Sequence, residues 1–159
     1  WVDTYWFENL NLKNEKPVAS GTLKPGNGWQ EVKFDAPVKA RFFCFEALSS
    51  QNGNDNAAIA EFYLLGENGK PLSRQHWQIA YADSEETRGG NFTADKIFDL
   101  QESTYWSTAR GDKYPHQVVI DLREEVVVSG FQYLPRAEEG YPGMVKEYKA
   151  YTKMSPFKF

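Results

Sequence analysis

Apolar and polar residues alternate along several short stretches of the chain, as they do in β-strands that bury one face. Residues 31–35 alternate in this way, and so do stretches within 117–122 and 126–133. Two further stretches, 41–48 and 58–65, are mostly apolar and also predict strands. Clusters of Gly, Asn, Asp and Pro between these stretches indicate turns. Short strands with frequent turns predict an all-β sandwich or barrel.

Chain length and aromatic content favour one domain with an aromatic core. A chain of 159 residues is long enough to bury a substantial hydrophobic interior. Its five Trp, nine Tyr and eleven Phe suit both the interior of a sandwich and surfaces that stack on sugars. We assign Trp106 to the core. The one helix prediction is a single turn over 93–98, with Thr93 as its N-cap.

Charge and cysteine content exclude some functions. The net charge is −4, the pI is near 5.3 and no basic run occurs, so nucleic acid and anionic membranes are not expected partners. The single cysteine, Cys44, lies in an apolar run and is expected to be a buried hydrophobic residue. The chain starts at Trp1 with no signal peptide or transmembrane run, which is typical of a domain excised from a longer protein.

A set of spaced motifs in the second half of the chain is typical of one family. The motifs are Asp99-x4-Thr104-x-Trp106, a strand led by Pro115 that ends in Ile120-Asp121-Leu122, Tyr133-Leu-Pro-Arg136, and Gly143-x2-Lys-Glu-Tyr148-x2-Tyr151. Together they resemble the discoidin family, also called coagulation factor 5/8 type C. Many bacterial members are family 32 carbohydrate-binding modules. The resemblance implies a jelly-roll β-sandwich of the galactose-binding-domain type.

The order of the segments differs from the usual discoidin order. Residues 29–41 and 57–66 look like the final strands of the family, yet they come first here. The chain is either a natural circular permutant, with 67–76 joining the usual ends, or a fragment that straddles two modules. Two half-sandwiches would leave long unpaired edges, so we favour permutation.

The permuted interpretation divides the chain into three parts. Residues 15–66 match the family's C-terminal half, residues 77–159 match its N-terminal half, and residues 1–14 are unassigned. We therefore predict one discoidin-like β-sandwich over 1–159.

The resemblance also implies a structural calcium ion. Oxygen ligands fit calcium and not zinc. One departure from the family is Leu100, which stands where Gly is usual and would be strained at a positive φ. The alternative is that Asp99 only caps its loop and that Glu61 pairs with an Arg or Lys. The implied ligands are the side chains of Asp99, Thr104 and Glu61 and the backbone carbonyls of Lys96, Gln101 and Ala60.

In family 32 modules the sugar lies in loops at one end of the sandwich. Sugar sites combine an aromatic face with polar groups that bond hydroxyls. By resemblance the candidate loops here are 107–114, 136–141, 49–56 and 84–91. The predicted ligand-binding residues are Arg136 and Arg110 as hydroxyl donors, Tyr141 as the stacking face, and Glu138, Asn54 and Asn56 as further hydroxyl partners.

Each of these residues also has a structural alternative. Arg136 could be fixed in an ion pair at a strand end, and Tyr141 could be a solvent-facing turn residue. Asn is ordinary in turns, so Asn54 and Asn56 could serve only the loop.

No set of residues indicates catalysis. Neither of the two histidines, His76 and His116, belongs to a motif that pairs a nucleophile with its base. His116 is expected to be structural. The paired glutamates 85–86, 124–125 and 138–139 would point to opposite faces of a strand and are read as solvated turns. The domain itself is therefore predicted not to be an enzyme.

The predicted function is that of a non-catalytic carbohydrate-binding module that holds a parent glycoside hydrolase near its glycan. The parent is expected to be bacterial and secreted, periplasmic or cell-surface, and a chitobiase-type β-N-acetylhexosaminidase is one possibility. The expected partners are a galactose-, N-acetylgalactosamine- or N-acetylglucosamine-bearing glycan and the catalytic domain of the same chain, with the module itself a monomer. The alternatives are a domain that only braces its neighbour and a protein-binding discoidin domain.

Overall fold

Seven β-strands and one short 3-10 helix form the regular structure of residues 9–138 and 142–159, the part of the chain that this computed structural model describes. The predicted strand over 58–65 is confirmed with the same bounds, and the other predicted strands lie within longer ones, except that the strand predicted over 41–48 ends one residue earlier, at Ala47. The strands are β1 (Ala19–Thr22), β2 (Gln30–Ala47), β3 (Ala58–Leu65), β4 (Gln78–Ala82), β5 (Trp106–Ser107), β6 (His116–Pro135) and β7 (Glu147–Lys153).

The long strands β2 and β6 pair with each other and take part in both layers of a sandwich. The first half of β6 pairs with β4 and with the end of β2, which also pairs with β7. The second half of β6 pairs with β3 and with the start of β2. Register shifts between Lys33 and Val38 and between Ala40 and Phe42 mark the change of layer in β2. The result is the antiparallel jelly-roll β-sandwich that the sequence predicts.

Aromatic rings from both layers fill the space between them. Phe45 lies with its ring centroid 5.3 Å from that of Phe62, and Phe62 stacks on Phe131 at 5.0 Å. Trp106 is fully buried in the same cluster, as the sequence predicts, and its indole N–H donates to the carbonyl of Ser84 at 2.9 Å.

A smaller apolar cluster lies on the other face of β2. Alternate residues of this strand point away from the main core, and Phe42 and Cys44 join Tyr81, Val119, Tyr151 and Phe157 there. Cys44 is completely buried, as expected. Leu10 and Leu12 pack against this cluster, and Asn11 forms a bridge with Lys158. Residues 9–12 and the C-terminal end therefore cover the outer face of the sheet together.

The predicted helical turn is a 3-10 helix, and its predicted cap is wrong. The helix spans Ala94–Phe98, and Thr93 occupies the N-cap position without a side-chain hydrogen bond to the helix backbone. The Thr93 hydroxyl donates to Asp95 instead. The backbone N–H of Ala94 donates to Oε2 of Glu85 at 2.6 Å, so a carboxylate from the preceding loop satisfies this N–H group.

Strands from the two halves of the chain pair directly with each other. β2 and β3, from the first half, both lie against β6 from the second half. The segment 67–76 connects β3 to the region before β4 and places the buried Arg74 against β3. The circular permutation relative to the usual discoidin order stays a prediction.

Gly130 lies where β6 meets β2 so closely that no side chain fits. A Cβ atom at this position would lie 2.2 Å from the carbonyl oxygen of Val32 and 3.1 Å from Cα of Lys33. Because both neighbours are backbone atoms, Gly130→Ala must push the strands apart. We expect it to destabilise the fold by about 3 kcal/mol, at the upper end of overpacking effects, which lowers the melting temperature by roughly 6–12 °C.

Thermal unfolding followed by circular dichroism measures this effect. Gly28→Ala is the matched control, because a Cβ there meets no atom within 4 Å. Equal melting temperatures for Gly130→Ala and the control would show that the strands are not in this close contact.

Candidate functional site

Several loops meet at the end of the sandwich where β2 ends and β6 begins. Ala47, the last residue of β2, is paired with His116, the first residue of β6. The end of β6 reaches the same region, since Pro135 is paired with Ile59 near the start of β3. The short strand β5 pairs with the start of β3 as well. These pairings bring the loops at 48–57, 83–93 and 108–115 and the segment after Pro135 together.

An open pocket of about 620 Å³ lies between these loops. Four of the residues predicted to bind ligand line it, namely Asn54, Asn56, Arg110 and Arg136. The other lining residues are Gly53, Asp55, Glu86, Phe92, Tyr105, Ser107, Thr108 and Gly111. Tyr141, the predicted stacking residue, lies outside the described residues.

Arg136 is held at the pocket by two contacts. Its guanidinium lies over the ring of Tyr105, with Cζ 4.3 Å from the ring centroid, and Tyr105 in turn stacks on Phe92 at 4.7 Å with nearly parallel planes. Its Nη2 donates to Oε2 of Glu138 at 2.7 Å. Glu138 is half exposed and is not among the pocket-lining residues. The ion-pair alternative for Arg136 and its place in the pocket are therefore compatible.

Arg110 presents an uncommitted charge to the pocket. Its side chain is exposed and makes no hydrogen bond or ion pair with the residues in 9–138 and 142–159. Its backbone N–H donates weakly to Oε1 of Glu86, at 3.4 Å. The guanidinium thus keeps all of its donors available for an oxygen-rich ligand.

Glu86 lines the pocket as an anchored anion, and the bonds to its carboxylate are compatible with the solvated turn that the sequence predicts at residues 85–86. Its Oε2 accepts hydrogen bonds from the backbone N–H groups of Arg88 at 2.8 Å and Gly89 at 3.3 Å. These bonds, together with the N–H of Arg110, lower the pKa of Glu86 below its ordinary value. An ionised, anchored carboxylate accepts hydrogen bonds from hydroxyl groups.

The two asparagines of the 48–57 loop differ in what they can offer. The amide nitrogen of Asn56 lies 3.0 Å from the hydroxyls of Ser107 and Thr108, so its donors are directed into the protein. The backbone N–H of Asn54 donates to Oδ1 of Asn52, and the side chain of Asn54 is exposed. Asn54 is therefore the member of the pair that faces solvent at the pocket.

Sequence reasoning missed three pocket residues, Glu86, Phe92 and Tyr105. Glu86 lies in a loop that was predicted, but nothing in the sequence indicates that backbone N–H groups anchor its carboxylate. Phe92 and Tyr105 belong to different segments, and only the folded chain stacks their rings. No local pattern identifies such a pair.

The predicted calcium loop brings several oxygen atoms together. The hydroxyl of Thr104 hydrogen-bonds to Oδ2 of Asp99 and lies 3.1 Å from the carbonyl of Gln101. The other carboxylate oxygen of Asp99 accepts from the backbone N–H of Gln101 at 3.0 Å. Asp99 thus caps its loop, as the alternative interpretation holds, while remaining beside the other predicted ligands.

Glu61 is almost completely buried next to this loop. Its Oε1 accepts from Nη1 of Arg74 at 3.0 Å, which is the pairing that the alternative interpretation expects. Its Oε2 is buried and has no hydrogen-bond partner among the described residues. Burial raises the pKa of Glu61 to about 7 against the opposing effect of Arg74, and the nearby Asp99 carboxylate adds to the rise. A carboxylate oxygen without a donor, beside a second carboxylate, fits a cation.

Other metal arrangements are not found. Within residues 9–138 and 142–159, no group of three or more His, Cys, Asp or Glu side chains is arranged to hold a metal ion. The calcium prediction uses two carboxylates, a hydroxyl and backbone carbonyls, which is a hard-oxygen set of another kind.

Among the described residues, no helix has the length and apolar character that crossing a membrane needs.

A polar and aromatic pocket formed by loops at one end of a β-sandwich is large enough to hold a small ligand. Comparison with known proteins places the chain more narrowly. Residues 80–157 match the family model of the F5/8 type C domain. This part of the chain is therefore similar to the F5/8 type C, or discoidin, domain, which is a family of non-catalytic modules.

One curated relative has a longer chain. A sialidase from Micromonospora viridifaciens is 34% identical to this chain over 88 residues, which are 53% of this chain and 13% of the sialidase. The similarity thus concerns a small part of the sialidase, of the size of a single module.

Leu100 has a φ of 66°. This is the positive backbone angle at which the sequence analysis expects a leucine in place of the usual glycine to be strained. The side chain is 75% exposed, so replacing it loses little packing. We expect Leu100→Gly to be more stable than Leu100→Ala by about 0.5–1 kcal/mol, because only glycine avoids the contact between Cβ and backbone in this region. Urea unfolding of the two variants measures the difference. Equal stability would mean that residue 100 does not hold this conformation in solution.

Proposed function

We propose that this domain is a non-catalytic carbohydrate-binding module whose ligand occupies the pocket between the 48–57, 83–93 and 108–115 loops. The observation that carries the proposal is that one pocket is lined both by Arg110, whose exposed guanidinium bonds none of the described residues, and by the anchored carboxylate of Glu86. Adjacent hydroxyls of a sugar ring need one group that donates and one that accepts, and this pair supplies both.

The aromatic side of the pocket supports the same ligand class. Phe92, Tyr105 and the guanidinium of Arg136 form a continuous stack along one wall. Sugar rings have apolar C–H faces that pack against such surfaces, while their hydroxyls point toward polar groups. Terminal galactose, N-acetylgalactosamine or N-acetylglucosamine is the proposed ligand class.

The proposed role in the parent protein is targeting. A weakly binding module raises the local concentration of an attached enzyme at its glycan. Similarity to part of a sialidase is consistent with a parent that acts on glycans outside the cell. A domain that only braces its neighbour is the alternative.

We also propose a structural calcium ion at the loop of Asp99. Side-chain oxygens of Asp99, Thr104 and Glu61 would hold it, together with the carbonyls of Lys96, Gln101 and Ala60. The unpartnered Oε2 of Glu61 supports the proposal. The ion would neutralise the two carboxylates and tie β3 to the loop before β5.

The sugar site is tested with Arg110→Ala. Charged hydrogen bonds are worth about 1.5–3 kcal/mol each, so we expect at least a tenfold loss of affinity with an unchanged melting temperature. Glycan array screening with wild-type protein identifies the sugar, and NMR titration with that sugar measures the loss. Arg123→Ala is the control, because this exposed arginine lies at a different pocket and bonds Gln78. Equal affinity of both variants would place the site elsewhere.

The calcium site is tested by thermal unfolding in calcium and in EDTA. Binding to the folded state alone stabilises it by about 2.7 kcal/mol at a calcium concentration 100 times the dissociation constant, or roughly 5–10 °C for a domain of this size. Asp99→Asn should abolish most of the difference, whereas Asp35→Asn, at an exposed position on β2, should retain it. Identical melting curves of the wild type in calcium and EDTA would contradict the proposal.

A further inference from the structure

His116 is fully buried at the start of β6 and has an acceptor at each ring nitrogen. Nδ1 lies 2.8 Å from Oδ2 of Asp83, and Nε2 lies 2.7 Å from the backbone carbonyl of Asp55. Carboxylate and carbonyl oxygens only accept hydrogen bonds. A neutral imidazole carries one N–H and can satisfy one of them, so only the imidazolium form makes both bonds.

The carbonyl that His116 bonds belongs to the pocket loop. Three consecutive carbonyls of this loop turn inward, each onto one side-chain donor. Asn54 accepts from the hydroxyl of Ser50 at 2.7 Å, Asp55 from His116, and Asn56 from the hydroxyl of Tyr114 at 2.6 Å. While these three carbonyls point into the protein, residues 54–56 line the pocket. His116 supplies the middle one of the three bonds, and it is the one whose donor can lose its proton near neutral pH.

We propose that protonated His116 is a positioning residue that holds the 54–56 loop in its pocket-lining conformation, and that ligand affinity at this pocket falls when His116 loses its proton. The effect on affinity rests on the proposed sugar site, whereas the effect on the loop does not. Deprotonation removes either the bond to Asp55 or the bond to Asp83, and the carbonyl of Asp55 is the weaker acceptor of the two. The loop is therefore the part that is released.

The charges around the ring are mostly negative. Burial lowers the pKa of His116, but the hydrogen bond and charge of Asp83, the carbonyl of Asp55 and the charge of Asp112 outweigh it and raise the pKa above its ordinary value. The titratable and charged groups near the ring are Asp83, Asp55, Asp112, Lys113, Tyr114 and Glu46. Lys113 lies 3.9 Å from the carboxylate of Asp55, and the ring centroid of Tyr114 lies 4.6 Å from that of His116. Glu46, in β2, accepts a hydrogen bond from the side chain of Gln117.

Because the pKa of His116 is raised, the direction of the pH dependence is fixed. A histidine with a raised pKa in the folded state contributes its full stabilisation below its ordinary pKa. The contribution is lost as the pH rises through the raised value. Loop order and ligand affinity should therefore be constant below the ordinary pKa of histidine and should fall as the pH rises through the raised pKa of His116.

The test follows His116 and the loop by NMR in the same samples. Long-range ¹H–¹⁵N spectra report the protonation of the His116 ring across the pH range, and backbone amide shifts of residues 52–56 report the loop without any ligand. Titrations with galactose, N-acetylgalactosamine and N-acetylglucosamine at each pH give the affinity. We expect the loop shifts to share the midpoint of His116 and the affinity to fall about three- to tenfold through it, as expected for loss of one hydrogen bond.

Variants separate positioning from general stability. In His116→Gln the amide nitrogen can take the place of Nε2 and bond Asp55 at every pH, so affinity should become independent of pH. In His116→Asn the amide takes the place of Nδ1, and the loop bond should be lost at every pH. Asp83→Asn should lower the pKa of His116 and move the midpoint of the loop shifts down with it. His76→Gln, which removes the exposed histidine, is the control and should behave as wild type.

The outcomes are distinct. Loop shifts that follow the midpoint of His116 in wild type and in Asp83→Asn support the proposal even when none of the three sugars binds, in which case the proposed function alone fails. Loop shifts that are flat while His116 titrates would overturn it. A ring that stays in one neutral tautomer from acidic to basic pH would overturn it as well.

Discussion

The antiparallel pairing of β2 with β6 is the constraint on which the rest of the structure depends. Both strands are long enough to serve the two layers in turn, so one continuous ladder joins the first half of the chain to the second. The ladder is so close at Gly130 that only a residue without a side chain fits. Because both ends of β6 reach the same end of the sandwich, the loops that follow and precede it are brought together there.

The pocket at that end combines groups with different degrees of fixation. Arg136 and Glu86 are held by stacking, by an ion pair and by backbone N–H groups, whereas the Arg110 guanidinium is free of such contacts among the described residues. Fixed groups reduce the entropy that a ligand must remove on binding, and a free cation supplies the donors. This division suits the sugar ligand that we propose.

Two buried ionisable side chains, Glu61 and His116, lie next to loops, and their charges are stabilised in different ways. Glu61 has Arg74 as its partner, yet one of its oxygens has no donor among the described residues, and we propose that calcium binds there. His116 has an acceptor at each nitrogen and needs its own positive charge to satisfy both. In each case the hydrogen bonds connect a strand of the core to a loop, and these bonds restrict the motion of the loop.

The sequence by itself determined the strands, the burial of Trp106 and Cys44, and the discoidin resemblance, because side-chain alternation and spaced motifs are local properties. It also indicated four residues that line the pocket, since a resemblance carries loop positions along the chain. Only the tertiary structure decided that Thr93 does not cap its helix, that Glu86 is anchored and that Phe92 stacks on Tyr105. Which partner each polar group takes depends on the folded geometry of its loop, and the segments of Phe92 and Tyr105 meet only in the folded chain.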